Sequence, residues 1–438
     1  MALRILLILL VNILALYETI LGVTQIIGIT APRHTGFILT GTFYNPGPFG
    51  GLIAILLAIL GTYILLNKDS KRWYDKVLVI LSLISSAMCI IVLPASMSRA
   101  AWLALGFAVL VLGFKELSLA ERIRKHKAVT AITSVILIIA MVGVFFLKKD
   151  SAIGRLHIWH MELRAIADKP LKGYGKGSIL GVYGDTQANY FAEKERSEII
   201  TKVAGCPEYA FNEYLKIGVE YGIPAMLGVI VVLILVIALL LKFRSPFAYG
   251  LIAFCVFAFF SYPLEAIRIK SDAEKKWECI RYLSNMELYE EAVEELAPLY
   301  DDLRDNYRYI YDYGYALHKC KCYQKSNDIL KEGAAISSDP MFYNIIGRNY
   351  EAINLYKEAE EAYLHAHNMI PQRLYPLSLL MRMHIKLGNN DKALKYGRTI
   401  LDKPVNERNR TMLRLQADAR QCVDSLECKF DIILNAKE

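Results

Sequence analysis

Apolar runs of bilayer length alternate with short polar stretches through the first 264 residues, and then the pattern changes. A helix that crosses a membrane needs about 20 consecutive, predominantly apolar residues. About seven runs approach that length: 3–22, 48–66, 77–94, 99–114, 128–147, 223–241 and 247–264, the fourth being the shortest. The first run lacks a well-placed small-residue cleavage site and stays apolar through Gly22 to Ile29, so it reads as a span, not a signal peptide. From about residue 273 the apolar positions recur instead as paired amphipathic helices with a period near 34. The pattern predicts an all-α chain. A polytopic helical membrane domain would cover 1–267, with a long loop at 148–208, and an α-solenoid would cover 268–438.

The period is carried by particular residues. Tyr289, Tyr323 and Tyr356 fall at the first inter-helix turn, and Ala292, Ala359 and Ala393 supply small side chains where two helices approach. Pro340, Pro371 and Pro404 end successive units. The stretch MFYNIIGRNYEAINLYKEAEEAYLHAHNMIP, Met341–Pro371, resembles a tetratricopeptide repeat, with about four degenerate units across 273–405 and a capping helix near 407–421. Such stacks present a concave face, which implies recruitment of a protein or glycan partner; the alternative is an appendage packed on the membrane domain. His365 and His367 are two apart and point to different faces, which does not suit a metal pair.

Charge sets the expected topology. The net charge of +8 is modest, and its basic residues cluster in short loops between apolar runs, which argues against nucleic-acid binding. Lys68, Lys71, Arg72 and Lys76 form one cluster; Lys115, Arg122, Arg124, Lys125 and Lys127 a second; Lys242 and Arg244 a third. Seven crossings from a cytoplasmic N-terminus put all three inside, as the positive-inside rule requires. Arg33, Arg99, Arg155, the 148–208 loop and the repeats then face outward. Eight cysteines form no C-x-x-C pair, so no zinc or redox signature is present, and disulfides on the outward side cannot be paired from sequence.

Four segments carry candidate chemistry. GTFYNPGPFGG, Gly41–Gly51, precedes the second span, and its prolines delay regular helix until the chain enters the membrane. PASMSRAAW, Pro94–Trp102, places Ser96, Ser98 and Arg99 at a membrane boundary. An arginine that cannot reach the interface costs roughly 3 kcal/mol at bilayer depth. In GRLHIWHMELRAIADKPLKGYGKGS, Gly154–Ser178, the residues Arg155, Ile158, Trp159 and Glu162 fit a helix lying on the membrane surface. The turn KPLKGYGKGS, with Lys172 and Lys176, suits exposure of backbone N–H groups and positive charge to an anion, although it lacks P-loop spacing. PEYAFNEYLKIGVEYGIPAML, Pro207–Leu227, carries Asn212, Glu213 and Glu220, the two carboxylates seven apart on one helical face.

With the later SYPLE, these motifs in this order resemble the O-antigen ligase/O-antigen polymerase family over about residues 20–265. The combination is most similar to members with an outward tetratricopeptide domain. The resemblance implies a metal-independent, cofactor-free glycosyltransferase of the bacterial inner membrane. It would take a glycan from undecaprenyl diphosphate on the outer face and pass it to a lipid, a glycan or a protein. By motif, Arg99 and Arg155 would hold the diphosphate, with Arg33, Lys172, Lys176, Asn212 and Glu220 as further substrate-binding residues.

Two departures from the family pattern stand out. Many members have His before the Asn of the fourth motif; here it is Phe211, which cannot accept a proton. Glu213 is the replacement candidate for general base, with Glu220, His157 and His160 as alternatives. Members also have more spans before the GTF motif, which points to a truncated or divergent copy or a misassigned start. The runner-up reading is a non-catalytic membrane scaffold recruiting partners through its repeats. A lipid-linked-glycan flippase ranks third, because the spans read as nearly free of charge.

Overall fold

The computed structural model describes residues 2–125, 149–264, 271–404 and 409–435. All regular secondary structure among them is helical. The expected span at 128–147 and the expected domain boundary at 267 lie outside the described residues. The chain separates into two compact units: Met1–Lys149, Tyr209–Gly218 and Ile223–Ile269 form the first, and Asp150–Glu208, Val219–Gly222 and Lys270–Glu438 the second. The stretch 150–208, expected as a loop of the membrane domain, therefore groups with the C-terminal region.

Numbered along the chain, the first unit contains α1 (Ala2–Ile26), α2 (Pro46–Asn67), α3 (Trp73–Val92), α4 (Arg99–Glu116), α5 (Leu119–Lys125), most of α9 (Glu213–Lys242) and α10 (Phe247–Phe260). Among the described residues four helical stretches are long and apolar enough to cross a membrane: Leu3–Ile26, Pro46–Asn67, Trp73–Ser96 and Glu213–Lys242. α4 and α5 together pass the same test but bend by 85° at their junction. α10 has only 14 residues, about 21 Å of helix, and ends where Ser261 and Pro263 interrupt the apolar run.

α2 is the centre of this unit. Asn45 caps it by accepting the Gly47 N–H at 2.8 Å, and Pro46 takes the first helical position, where its missing N–H costs nothing. It packs against α1, α3, α4 and α10. Phe49, Ile53 and Leu60 fill the core, while Ala101, Ala104 and Ala108 of α4 and Ala253 of α10 bring backbones close. α1 is tied to α3 by polar groups: Asn12 Nδ2 donates to Ser82 Oγ at 3.1 Å, and Asn12 Oδ1 accepts from Ser85 Oγ at 2.8 Å. None of the most apolar stretch of α9 is buried in the described protein, and Leu227, Val231, Ile234 and Leu235 are each more than half exposed. Such a surface suits lipid.

The second unit contains α6 (Lys149–Asp168), α7 (Ile179–Glu193), α8 (Glu198–Val203), α11 (Asp272–Asn285), α12 (Tyr289–Leu296), α13 (Tyr300–Leu303), α14 (Tyr307–Lys319), α15 (Tyr323–Ala335), α16 (Met341–Ala352), α17 (Tyr356–Met369), α18 (Tyr375–Lys386), α19 (Asn390–Asp402) and α20 (Arg410–Asn435). From α14 to α20 each helix packs on the next, and α7 packs on α15 and α17. The backbone repeats with the sequence. Glu287, Lys321, Asn354 and Gly388 all take positive φ, between 60° and 72°, in successive hairpin turns. Ala292, Ala359 and Ala393 are fully buried, and Ser326 occupies the matching position of the remaining hairpin, also fully buried. A hydroxyl there is satisfied by donating to Gly314 O at 2.7 Å, which is why periodicity in apolar residues alone skips it.

Candidate functional site

The first two motifs are brought together in the first unit. α3 ends in a short 3₁₀ turn, Pro94–Ser96, and Met97 adopts φ 50° before Ser98 caps α4. Ser98 Oγ also donates to Gly47 O, at 3.4 Å, joining this turn to the start of α2. Arg99 is the first residue of α4 and is half-buried. Its guanidinium charge and the positive end of the helix dipole therefore add at one place, an arrangement unfavourable for the helix alone and favourable for an anion.

The segment before α2 is held from beneath by α1. Glu18, 2% exposed, accepts the Thr42 hydroxyl at 2.5 Å and the Thr42 N–H at 3.2 Å. Gln25, one helical face further on, accepts the Thr40 and Gly41 N–H groups at 2.9 and 2.8 Å and donates to Gly41 O. Gly41 sits at φ 57°, and a Cβ there would lie 2.3 Å from Phe49 and 2.6 Å from Glu18. Glu18 and Gln25 were missed by sequence reasoning, although a carboxylate inside an apolar span is the signal that should have found them. Arg33 is exposed in the preceding loop, its own N–H donating to Thr40 Oγ1 at 3.1 Å.

The fourth motif meets SYPLE in the same unit. Asn212 is 1% exposed and caps α9: its Oδ1 accepts the Tyr214 and Leu215 N–H groups, both at 3.0 Å. That commits its side-chain oxygen to the fold. Glu213 is the first residue of α9, 5% exposed, and its Oε1 accepts the Leu264 N–H at 3.0 Å. A carboxylate in the first turn interacts favourably with the helix dipole. Phe211 holds φ 55°, a costly conformation for a bulky residue, and its ring meets Tyr262 edge-on at 5.4 Å. Tyr262 in turn stacks flat on Tyr209 at 3.8 Å.

The glycine–lysine turn belongs to the second unit, and here the structure corrects the expectation. Gly173, Gly175 and Gly177 all have positive φ, as a tight turn requires. Their N–H groups, however, do not face an anion. Tyr174 N–H donates to Val219 O at 2.9 Å, Gly175 N–H to Glu220 O at 2.9 Å, and Gly177 N–H to Glu220 Oε1 at 3.0 Å. Glu220, 4% exposed, anchors the turn. Contact is mutual: a Cβ on Gly173 would lie 2.5 Å from the Glu220 backbone, and one on Gly222 2.5 Å from Leu171. Gly222, at φ 85°, breaks the helical geometry of α9 there. Lys172 and Lys176 remain exposed beside the turn.

Arg155 lies on α6, half-buried. The same helix carries a second correction. The face expected on a membrane surface is interior at Glu162, which is 1% exposed, with Oε2 finding no hydrogen-bond partner among the described residues. Burial lifts this carboxyl well above its usual range. His157 is buried too, and burial pushes its imidazole down, leaving it neutral at pH 7. Gln187 Nε2 donates to Gly205 O and Met369 O, so its Oε1 is the acceptor for Tyr183 Oη at 2.6 Å and for His157 Nε2 at 2.8 Å. The Nε2 proton of His157 is thereby committed to Gln187. His160 is exposed, edge-on to Tyr190.

Among the described residues no cluster of three His, Cys, Asp or Glu side chains could hold a metal ion. A cavity of about 470 Å³ lined by Arg4, Tyr63, Asp69, Arg72 and Asp75 contains none of the motif residues. Residues 84–230 match the sequence model of the O-Antigen ligase family. That range, less than half of the chain, takes in Arg99, Arg155, the glycine–lysine turn and the fourth motif, but neither Gly41–Gly51 nor SYPLE. No curated protein matches the chain. The match supports a glycosyltransferase-type enzyme acting in surface-polysaccharide assembly. Together with the apolar helices it fits a bacterial inner-membrane protein.

Proposed function

We propose that this chain transfers a glycan from undecaprenyl diphosphate to an acceptor lipid, glycan or protein on the outer face of the inner membrane. Arg99 and Arg155 are each assigned to the diphosphate and Glu213 to the acceptor. The acceptor hydroxyl gives its proton to the Glu213 carboxylate and its oxygen attacks the anomeric carbon. The bond from that carbon to the diphosphate oxygen breaks, and its electron pair leaves with undecaprenyl diphosphate. Arginine suits this leaving group because its planar fork binds phosphate oxygens in pairs as their charge grows. Arg33, Lys172 and Lys176 add positive charge for the same ligand, Asn212 and Glu220 shape its surroundings, and the C-terminal stack is assigned as a tetratricopeptide-type domain on the outer side.

The observation that carries this reading is Glu213: a buried carboxylate, two residues from the Phe211 position where many related proteins have histidine, oriented by the Leu264 N–H. The competing reading, a non-catalytic scaffold, is favoured by Phe211 itself, whose ring is packed on Tyr262 and accepts no proton.

Complementation of a strain lacking its surface-glycan ligase separates the two. The parent chain should restore surface glycan, and Arg99→Ala, Arg155→Ala and Glu213→Gln should each lower transfer by about 100-fold or more. Full activity from all three variants would sink the assignments. A properly inserted parent chain without activity would favour the scaffold.

A further inference from the structure

A second charged feature lies wholly within the helical stack of the second unit. A cavity of about 610 Å³ opens where α14, α16 and α18 end close together. It is lined by Lys319, Lys321, Arg348, Arg382 and Lys386 against a single carboxylate, Glu351. That carboxylate is occupied: it accepts from Lys386 Nζ at 2.5 Å and from Tyr363 Oη at 3.1 Å. Arg382 pairs with Asp418 at 3.0 Å. Lys319, Lys321 and Arg348 have no carboxylate within ion-pair distance among the described residues. Buried His318 at the cavity wall reports the same field, since Arg348 and Lys319 add to burial in pushing its imidazole down.

Helix dipoles account for part of this charge. Lys319 and Lys386 are the last residues of α14 and α18, where cations are favoured by about 0.3–1 kcal/mol. They do not account for Arg348 and Arg382, each a full turn inside its helix and spaced by one repeat period. Asp418 neutralises Arg382, which leaves Arg348 beside Lys319 and Lys321 as the charge not matched by a carboxylate among the described residues. Tyr323 and Tyr375 add aromatic surface to the same cavity.

From this we infer that the helical stack docks an anionic glycan, one with carboxylate-bearing sugar residues, through Arg348, Lys321 and Lys319. This rests on the glycan-transfer reading and narrows its substrate class. An acidic peptide carries the same charge and is the competing occupant; the glycan is preferred because it is the substrate class of the reaction proposed above, and hexaglutamate tests the alternative. A glycan presents carboxylate and hydroxyl oxygens, which the lysines and arginines can serve as donors.

The test uses the full chain in lipid nanodiscs and three probes of equal length: a galacturonic acid hexamer, maltohexaose and hexaglutamate. The galacturonate should bind, the neutral maltohexaose should not, and hexaglutamate should bind at least about tenfold more weakly. A doubly charge-reversed variant, Lys321→Glu with Arg348→Glu, should lose at least about tenfold in galacturonate affinity while melting as the parent does. Failure of the parent to bind galacturonate, unchanged binding by the double variant, or hexaglutamate binding as tightly would each overturn the inference. Transfer measured in the same preparation keeps the two readings apart. Transfer without galacturonate binding overturns only the docking site, and binding without transfer overturns only the proposed reaction.

Discussion

Two segments that turn on a positive-φ glycine, 40–42 ahead of α2 and 173–177 after α6, are held alike. In each, a buried acidic side chain from another helix accepts one of the segment's N–H groups, Glu18 that of Thr42 and Glu220 that of Gly177; Gln25 accepts two more in the first, and the Val219 and Glu220 carbonyls two more in the second. They differ in what the glycines admit. Gly41 makes room for side chains, those of Phe49 and Glu18, whereas Gly173 makes room for the backbone of Val219 and Glu220. A side chain can rotate away from an intruding methyl group; a backbone already fixed by two hydrogen bonds cannot.

The largest effect should come from the backbone contact. Gly173→Ala and Gly222→Ala each combine positive φ with a backbone clash, and should destabilise the second unit by roughly 3–5 kcal/mol. Gly41→Ala should cost less, about 1–3 kcal/mol, because Phe49 can yield. Thermal melting of the purified variants checks the order, and a larger loss from Gly41→Ala would break the comparison.

The anchoring carboxylates come next. Glu18→Ala leaves the Thr42 N–H and hydroxyl without their acceptor, and Glu220→Ala leaves the Gly177 N–H, at about 1–3 kcal/mol for each buried group left unpaired. Glu18→Ala should therefore melt lower than Glu220→Ala. Glu220→Gln, which keeps an acceptor oxygen, should recover most of the loss. Equal melting of Glu220→Ala and the parent would show that the turn does not depend on its anchor.

The smallest effect concerns a buried carboxyl that anchors nothing at one oxygen. Glu162 keeps its proton in the folded chain well above 4.5, while the unfolded chain releases it near that value. The folded state thus binds more protons, and stability falls as pH rises above about 4.5. Glu162→Gln removes this dependence. The variant should gain a few degrees of melting temperature on the parent, about 2–4 °C per kcal/mol, between pH 5 and 8, with the gain vanishing toward pH 4. A gain independent of pH would mean that the carboxyl is not the cause.

Much of the helical framework was legible in the sequence, because hydropathy and capping are local. The apolar runs that became α1, α2, α3 and α9 and the hairpin tyrosines were readable from residues next to one another, whereas α2 begins at Pro46, earlier than its prolines suggested, because proline is tolerated in the first helical turn. Spans read as nearly free of charge nonetheless hid Glu18, since a single carboxylate barely alters the mean of a run. Ser326 was passed over for a similar reason, its polarity masking a position whose geometry is that of the buried alanines.

The sequence by itself determined where helices form, where glycines must turn the chain and which residues carry charge. Tertiary structure alone decided what those groups do. The turn at 173–177 supplies N–H groups whatever surrounds it, but their acceptors lie more than 40 residues away, at Val219 and Glu220. Asn212 could have met a ligand until its oxygen was seen capping α9. Glu162 reads as part of a face lying on the membrane surface until packing buries it. In each case the residue type fixes how many hydrogen bonds a group can make, and only the fold, by bringing distant segments within about 3 Å, fixes with whom.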